Sequence, residues 1–244
     1  MPEGPSIYLL SEELQGFIGQ EVLNVRGNSK AGINRIENTV ISGIRSWGKH
    51  LLISLNNGIT IRIHFMLFGR HAINERKPER IERLGIDTPT GEFNFYACSV
   101  KILEEDINSL YDWSSDVMND RWDPEAAKKK ISERPDELIC DILLYQDIFS
   151  GIGNIIKNEV LFRQKVHPQS VVSHLPAKIL NSIIKDAREY SFLFLEWRRE
   201  FVLKKNLQVH NKKLCPRCNL PIPKKIMGKT KRKAHFCSNC QILY

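Results

Sequence analysis

The pattern of hydrophobic and polar residues divides the chain into a β-rich first part and a helix-rich second part. Residues 5–18 are predicted to form a helix whose apolar side chains share one face: Ile7, Leu10, Leu14 and Phe17. From about residue 21 to residue 104 the period is two, which is typical of antiparallel strands with one buried face. The dipeptide Asn57-Gly58 separates two such alternating runs and predicts a hairpin turn.

Helical signals dominate after residue 120. Asp123-Pro124 is an N-cap residue followed by a proline in the first helical turn. The spacing of apolar residues predicts further helices over 136–146, 155–164 and 175–200. The polar stretch 204–213 is interpreted as a linker into a final segment, residues 214–244.

The bulk composition is that of an ordinary globular protein, with 42% hydrophobic and 26% charged residues. Its 244 residues suggest two domains. No apolar run approaches the ~18 residues that a membrane span needs, and the start of the chain has no basic segment typical of a signal peptide. We therefore expect a cytoplasmic protein whose cysteines bind metal or stay reduced.

The net charge of +8 is concentrated at one end of the chain. After Glu200 there is no acidic residue, while lysine and arginine supply eleven positive charges, which leaves a net −3 on residues 1–200. A basic end of this kind attracts nucleic-acid phosphates and anionic membranes alike.

Four of the six cysteines have the spacing of a metal site. They form two C-x2-C pairs separated by 18 residues: Cys215, Cys218, Cys237 and Cys240. Two such pairs can close a tetrahedral shell of four thiolates around zinc, with no position left open for chemistry. We therefore predict one structural Zn²⁺. Cys98 and Cys140 stand alone and are expected to be small buried residues.

The first residues suggest a nucleophile. If Met1 is removed, Pro2 carries a free secondary amine, and an α-amino group titrates near pH ~7.7–8.0. Such an amine can attack a sugar aldehyde carbon to give an iminium, and Glu3 stands one residue away to transfer a proton. Taken alone, the two residues are better explained as an ordinary start of the chain with a solvated charge, because short motifs often occur by chance.

Four separated motifs occur together along the chain: Pro2-Glu3-Gly4-Pro5, Gly48-Lys49, Gly151-Ile152-Gly153-Asn154 with Glu159 downstream, and the four-cysteine segment with Arg232 five residues before Cys237. On these motifs the chain resembles, over nearly its whole length, the formamidopyrimidine-DNA glycosylase and endonuclease VIII family of base-excision repair enzymes. The resemblance implies an α+β fold with an N-terminal antiparallel β-sandwich led by a helix. A C-terminal helical domain with a helix–two-turn–helix element and a β-hairpin zinc finger would follow. We place these three parts at 1–112, 113–205 and 206–244.

The resemblance also implies an activity, that of a bifunctional DNA glycosylase and abasic-site lyase. Pro2 would attack C1′ of the damaged nucleotide and expel the base, and Glu3 would protonate the opening sugar. Lys49 would hold a phosphate and assist proton transfer. Arg232 would clamp the phosphates beside the lesion and assist the second step of a β,δ-elimination.

The expected partner is double-stranded DNA that contains damaged bases or abasic sites, bound by a monomeric bacterial protein associated with the nucleoid. Gly153 and Asn154 would contact a backbone phosphate. Met66-Leu67-Phe68 lies where the family carries residues that fill the gap left by the flipped nucleotide, a task that needs apolar bulk. Ordinary sheet core is an equally good interpretation of these three residues.

Substrate choice is indicated by one departure from the family pattern. The branch that removes oxidised purines carries an arginine-containing stretch after the sheet, and residues 95–101 do not reproduce it. This favours oxidised pyrimidines, with an oxidised-purine glycosylase of the same family as the alternative. A non-catalytic zinc-ribbon protein that binds nucleic acid through its basic end is the competing class, and it requires neither Pro2 nor Glu3.

Overall fold

The computed structural model describes residues 2–244, which form two compact units that divide between Asp112 and Trp113. Each unit has buried hydrophobic residues of its own. Met1, whose removal is needed to expose the Pro2 amine, lies outside the described residues.

The first unit begins with a helix and continues as antiparallel strands. Its elements are α1 (Gly4–Glu13), β1 (Asn24–Arg26), β2 (Ile41–Trp47), β3 (His50–Leu55), β4 (Thr60–Ile73), β5 (Glu82–Thr88), β6 (Gly91–Leu103) and α2 (Ile107–Leu110). Pro5 lies in the first turn of α1, where its missing N–H costs no hydrogen bond. The helix predicted over 5–18 ends at Glu13 and is followed by a single 3-10 turn that buries Phe17.

The strands are paired in the order β1-β5-β6-β4-β3-β2 and are all antiparallel. The two long strands take part in both layers of the fold, since residues 60–64 of β4 pair with β3 and residues 91–96 of β6 pair with β5. Side chains from both sets of strands and from α1 belong to one buried cluster, which includes Ile7, Leu10, Ile53, Ile61, Leu84 and Phe93. The predicted antiparallel β-sandwich led by a helix is confirmed.

A register shift interrupts the pairing of β4 with β6. Phe65 pairs with Cys98 and Arg70 pairs with Tyr96, so four residues of β4 stand opposite the single residue Ala97. Ala97 has a left-handed backbone, with φ 48°. Extra residues on one strand of a pair are typical of a bulge, which bends the strand and redirects its side chains.

The bulge decides two interpretations made from the sequence. Met66, Leu67 and Phe68 lie in it and are 56%, 62% and 70% exposed, so the interpretation of these residues as sheet core is wrong. Residues 95–101 lie inside β6 and not after the sheet, and most of their apolar side chains are buried in the sandwich. The connection that does follow β6 is the short acidic stretch 104–106.

The second unit is mainly helical and ends in a small hairpin. Its elements are α3 (Pro124–Ser132), α4 (Ile139–Ile142), α5 (Asn154–Arg163), α6 (Ala177–Arg199), α7 (Leu203–Asn206), β7 (Lys224–Met227) and β8 (Arg232–His235). The Asp123 carboxylate accepts hydrogen bonds from the N–H groups of Glu125 and Ala126, as expected of an N-cap. None of the helices within residues 2–244 combines the length and the apolar composition needed to cross a bilayer.

The helix predicted over 136–146 is mostly absent, since only Ile139–Ile142 is α-helical. Leu138 instead forms a bridge with Val171, and the N–H of Ile139 donates to the carbonyl of Ser170. These pairings occupy backbone groups that the predicted helix would need at its start, so there the tertiary contact overrides the apolar periodicity.

The stretch 204–213 is more ordered than the predicted linker. It begins within α7, and Val209 is fully buried. The carboxylate of Glu159, also fully buried, accepts hydrogen bonds from three successive backbone N–H groups: Gln208 at 2.9 Å, Val209 at 3.0 Å and His210 at 2.7 Å. The polar composition of this stretch predicted a linker. The group that orders its backbone, the Glu159 carboxylate, lies 49 residues before Gln208, so the local sequence does not indicate it.

The exposure of the bulge predicts how little Leu67 contributes to folding. Replacing Leu67 with alanine should change the free energy of unfolding by less than about 0.5 kcal/mol, since its side chain lies mostly in solvent. Ile63→Ala, on the same strand and fully buried, should lower it by about 2–5 kcal/mol. Urea unfolding followed by circular dichroism measures both. Equal losses in the two variants would place Leu67 in the core.

Candidate functional site

The first candidate residues, Pro2 and Glu3, lie directly before α1. Glu3 is the N-cap residue of this helix, and its carbonyl accepts hydrogen bonds from the N–H groups of Ser6 at 2.9 Å and Ile7 at 3.3 Å. Its side chain is almost fully buried, with only 3% of the residue exposed, whereas Pro2 is half-buried. The backbone of α1 therefore fixes a buried carboxyl group one residue from the predicted nucleophile.

Lys49 lies in the tight turn that joins β2 to β3. Trp47 pairs with His50 across this turn, and Gly48 has φ 51°, a conformation that a two-residue hairpin turn requires and glycine adopts without strain. The Lys49 carbonyl lies 3.2 Å from Nδ1 of His64, and the lysine itself is half-buried. The turn thus presents one lysine at a defined position on the sandwich.

An aromatic cluster supports the turn that carries Lys49. The ring of His50 packs edge-on against His64 at 5.1 Å and against Tyr111 at 5.8 Å, and Tyr111 contacts Trp47 at 4.8 Å. Burial, reinforced by the charge of Arg62, lowers the pKa of His50 to about 3, and burial also lowers the pKa of His64. Both imidazoles are therefore neutral at pH 7, and the positive charge beside the turn comes from lysine and arginine.

The motif Gly151-Ile152-Gly153-Asn154 forms the start of α5. Gly153 is the N-cap residue and Asn154 the first helical residue. Oδ1 of Asn154 accepts a hydrogen bond from Nζ of Lys157 at 2.8 Å, and Nδ2 donates to the carbonyl of Lys233 at 2.9 Å. Lys233 follows Arg232 in β8, so the second unit brings the glycine motif and the strand of Arg232 together. A helix N-terminus with a lysine beneath it favours an anionic ligand.

Lys157 was not identified from the sequence, although it is only 1% exposed. The sequence indicates it only by spacing, because a residue three places after Asn154 on a helix lies on the same face as Asn154. A lysine in the first turn of a helix opposes the helix dipole, and a basic residue there is normally interpreted as a solvated charge. The hydrogen bond to Asn154 gives it a place in the site.

The four predicted cysteine ligands come together at the end of the chain. Their sulfur atoms all lie within 4.8 Å of one another, with Sγ–Sγ distances of 3.9 Å for Cys215–Cys240 and 3.5 Å for Cys218–Cys237. Apolar residues that include Phe162, Val209 and Ile222 pack around them. The arrangement fits a metal ion held by four thiolates. All four coordination positions would then be filled by protein, so none is open to a substrate.

The electrostatics distinguish Cys218 from the two isolated cysteines, whereas within the cluster burial raises the pKa of Cys237 and the hydrogen bond with Cys218 raises that of Cys240. A hydrogen bond from the backbone N–H of Leu220 lowers the pKa of Cys218 to about 6, which favours the thiolate that a metal binds. Burial raises the pKa of Cys98 to about 11 and that of Cys140 to about 12. Both remain protonated at pH 7, and the prediction that they are small buried residues is confirmed.

The predicted site residues divide between the two units. The first unit contains Pro2, Glu3, Lys49, Met66, Leu67 and Phe68, and the second contains Gly153, Asn154, Arg232 and the four cysteines. Arg232 is the first residue of β8 and is exposed.

Two family models match most of the chain. The model described as "Formamidopyrimidine-DNA glycosylase N-terminal domain" matches residues 1–97, and "Formamidopyrimidine-DNA glycosylase H2TH domain" matches residues 114–190. The first match covers the β-sandwich up to the middle of β6, and the second covers α3, α4, α5 and part of α6.

Individual proteins give the same result. Endonuclease 8-like 3 of Mus musculus is 29% identical over 210 residues, which cover 83% of this chain and 34% of that protein. The chain spans about a third to just under half of the endonuclease 8-like 3 proteins that it matches. The formamidopyrimidine-DNA glycosylase of Mycoplasma genitalium is 25% identical, over 99% of this chain and 96% of that protein.

Solved structures show the same fold. The formamidopyrimidine-DNA glycosylase of Lactococcus lactis, non-covalently bound to DNA containing an abasic site, superposes with a TM-score of 0.85 at 20% identity, over 98% of this chain and 99% of that chain. A viral DNA glycosylase has the same TM-score and identity, over 98% of this chain and all of that one.

The cysteine cluster predicts metal content. The purified protein should contain about one metal ion per chain, and Cys237→Ser should lose most of it, because three thiolates and a hydroxyl bind such ions more weakly. Mass-spectrometric metal analysis after dialysis measures both and identifies the metal. Cys98→Ala, which removes a protonated thiol elsewhere, should keep the full content. Metal retained by Cys237→Ser, or absent from the parent protein, contradicts the assignment.

Proposed function

Because the chain belongs to the formamidopyrimidine-DNA glycosylase and endonuclease VIII family, we propose that it removes oxidised bases from double-stranded DNA and then cleaves the strand, acting as a monomer. The observation that carries this proposal is the buried carboxyl group of Glu3, directly after Pro2. A carboxyl group held at this position, one residue after a secondary amine, can transfer a proton to or from the group that the amine attacks.

The first chemical step belongs to Pro2 and Glu3. The Pro2 amine forms a bond to C1′ while the glycosidic bond breaks, and the base leaves with a proton. Glu3 protonates the ring oxygen of the sugar, so the ring opens and the carbon–nitrogen bond becomes an iminium. Because the amine is both nucleophile and electron sink, one group serves excision and strand cleavage.

The second chemical step is elimination from the iminium. Its positive charge makes the C2′ protons acidic, so loss of one of them expels the 3′ phosphate, and a second elimination expels the 5′ phosphate. Lys49, on its rigid turn, would hold a phosphate and assist proton transfer. Arg232 would clamp the phosphates beside the lesion and assist the second elimination.

Recognition of the DNA is assigned to two further places. The start of α5, with Gly153 and Asn154, is suited to a backbone phosphate because a helix N-terminus favours anions. The exposed side chains of Met66, Leu67 and Phe68 offer the apolar bulk needed to replace a base that has left the stack.

We infer that the metal is zinc and that its role is structural. Zinc prefers four thiolates in a tetrahedral arrangement, and a shell closed by protein leaves no water to activate. The ion would order the segment that presents Arg232 and take no part in the chemical steps.

For the lesion we propose oxidised pyrimidines. The stretch that follows the sheet, residues 104–106, is entirely acidic, so it offers no guanidinium to the base opposite the lesion. The oxidised-purine branch of the same family is the alternative. The competing class is a zinc-ribbon protein that binds nucleic acid through the basic end of the chain without catalysis.

The nucleophile is tested by trapping. Sodium borohydride should reduce the iminium and leave the protein covalently joined to DNA containing an abasic site, with the link at Pro2. A residue or tag placed before Pro2 converts the amine to an amide and should abolish both trapping and strand cleavage. The same tag at the C-terminus is the matched control and should preserve them.

The role of Glu3 is separated in the same assay. Glu3→Gln should impair excision of an intact damaged base more than cleavage at a preformed abasic site, which has no base to expel. Trapping that persists with the amine blocked, or a link mapped to Lys49, contradicts the proposed nucleophile. A parent protein that binds but never cuts abasic DNA favours the zinc-ribbon class.

Lesion preference is measured on one panel of duplexes. Single-turnover excision should be at least about tenfold faster for oxidised pyrimidines than for 8-oxoguanine, a ratio that corresponds to about 1.4 kcal/mol of transition-state binding. A matched undamaged duplex is the control. Faster excision of the oxidised purine assigns the chain to the other branch.

A further inference from the structure

The hairpin that carries Arg232 ends in a loop anchored from outside the hairpin. Met227, the last residue of β7, pairs with Arg232, the first residue of β8, and Gly228–Lys231 connect them. Arg232 is exposed, whereas Met227 is buried. The position of the arginine therefore depends on how this four-residue loop is held.

The anchor is the carboxylate of Asp141 in α4. Its Oδ2 accepts a hydrogen bond from the N–H of Lys229 at 2.9 Å. Its Oδ1 accepts two from Thr230, from the N–H at 3.0 Å and from the hydroxyl at 2.6 Å. Asp141 is only 1% exposed. Charge-assisted hydrogen bonds of this kind are stronger than neutral ones, and burial excludes water that would compete for them.

Gly228 fits the loop to this carboxylate. It has φ 69°, and a Cβ atom built on it would lie within 2.2–2.5 Å of the Asp141 carboxylate atoms. Only glycine therefore allows both the left-handed conformation and the close approach of Asp141. The glycine in the loop and the aspartate 87 residues before it form one matched contact.

A second contact to the loop is weaker. Nζ of Lys229 lies 2.6 Å from Oε1 of Glu137, but the lysine side chain is 74% exposed. Exposed ion pairs contribute little because solvent screens them. The buried carboxylate of Asp141 is therefore the main anchor.

We propose that Asp141 is a positioning residue for Arg232, holding the loop so that the guanidinium meets the phosphates beside the lesion. This inference rests on the proposed function, since it assigns Asp141 to the strand-cleavage step that Arg232 assists. Asp141 is buried and bonded to the loop, so in this proposal it acts only through the loop.

The test is a double-mutant cycle on strand cleavage. Asp141→Ala alone and Arg232→Ala alone should each slow single-turnover cleavage of a preformed abasic-site duplex by about tenfold. Asp141→Ala should slow the Arg232→Ala protein by less than about twofold, because the residue it positions is already absent. Independent losses that multiply would overturn the proposal, as would a folded Asp141→Ala protein that cleaves at the parent rate.

Two further variants keep the test decisive if Asp141→Ala folds poorly. Gly228→Ala breaks the same contact from the loop side, and Asp141→Asn keeps the size of the side chain but loses its charge. Each should slow cleavage in the parent protein but have little further effect in the Arg232→Ala protein, and each should retain its metal. A different result contradicts the proposal. Asp120→Asn, an exposed acid elsewhere in the same unit, is the matched control and should cleave normally. The parent protein reports separately on the proposed function, since its own failure to cut would reject that function.

Discussion

The hydrogen bonds of the buried Glu159 carboxylate are the interaction on which the order of the C-terminal segment depends. This segment, from residue 206 onward, has two short strands and few buried apolar side chains. Chains below about 40 residues seldom fold on such a core without a metal or another constraint. Glu159 binds three consecutive N–H groups at the start of the segment, and Asp141 binds its loop. A buried carboxylate is stable only when hydrogen bonds satisfy it. The two carboxylates and the segment whose N–H groups they bind therefore stabilise one another.

The direction of these contacts preserves the charge of the segment. Carboxylates on the helices accept hydrogen bonds mainly from backbone N–H groups, so the anchoring neutralises few of the eleven lysine and arginine side chains. Lys229, paired with Glu137, is an exception. Backbone N–H groups therefore hold the segment in place, while its lysine and arginine side chains stay available to attract phosphate. The segment is ordered without losing its positive potential.

Much of the fold follows from local patterns, and the exceptions share one cause. Alternation around Asn57-Gly58 gives β3 and β4, the apolar stripe gives α6, and the cysteine spacing gives a cluster of four sulfur atoms. The predictions fail where a hydrogen-bond partner distant in the sequence determines the local backbone structure. The helix over 136–146 loses backbone groups to residues 170–171, and the linker is ordered by Glu159. Family motifs predicted Pro2 and Lys49 as site residues, whereas Lys157 and Asp141 match no motif and are apparent only from their contacts in the fold.

The bulge in β4 has an evolutionary consequence. The pairs on either side of it, Phe65–Cys98 and Arg70–Tyr96, fix the register of the sheet independently of what lies between them. Insertions, deletions and substitutions among residues 66–69 can therefore accumulate without a slip that would turn buried side chains outward. The bulge is therefore a position where the exposed side chains can change while the pairing of the sheet stays the same.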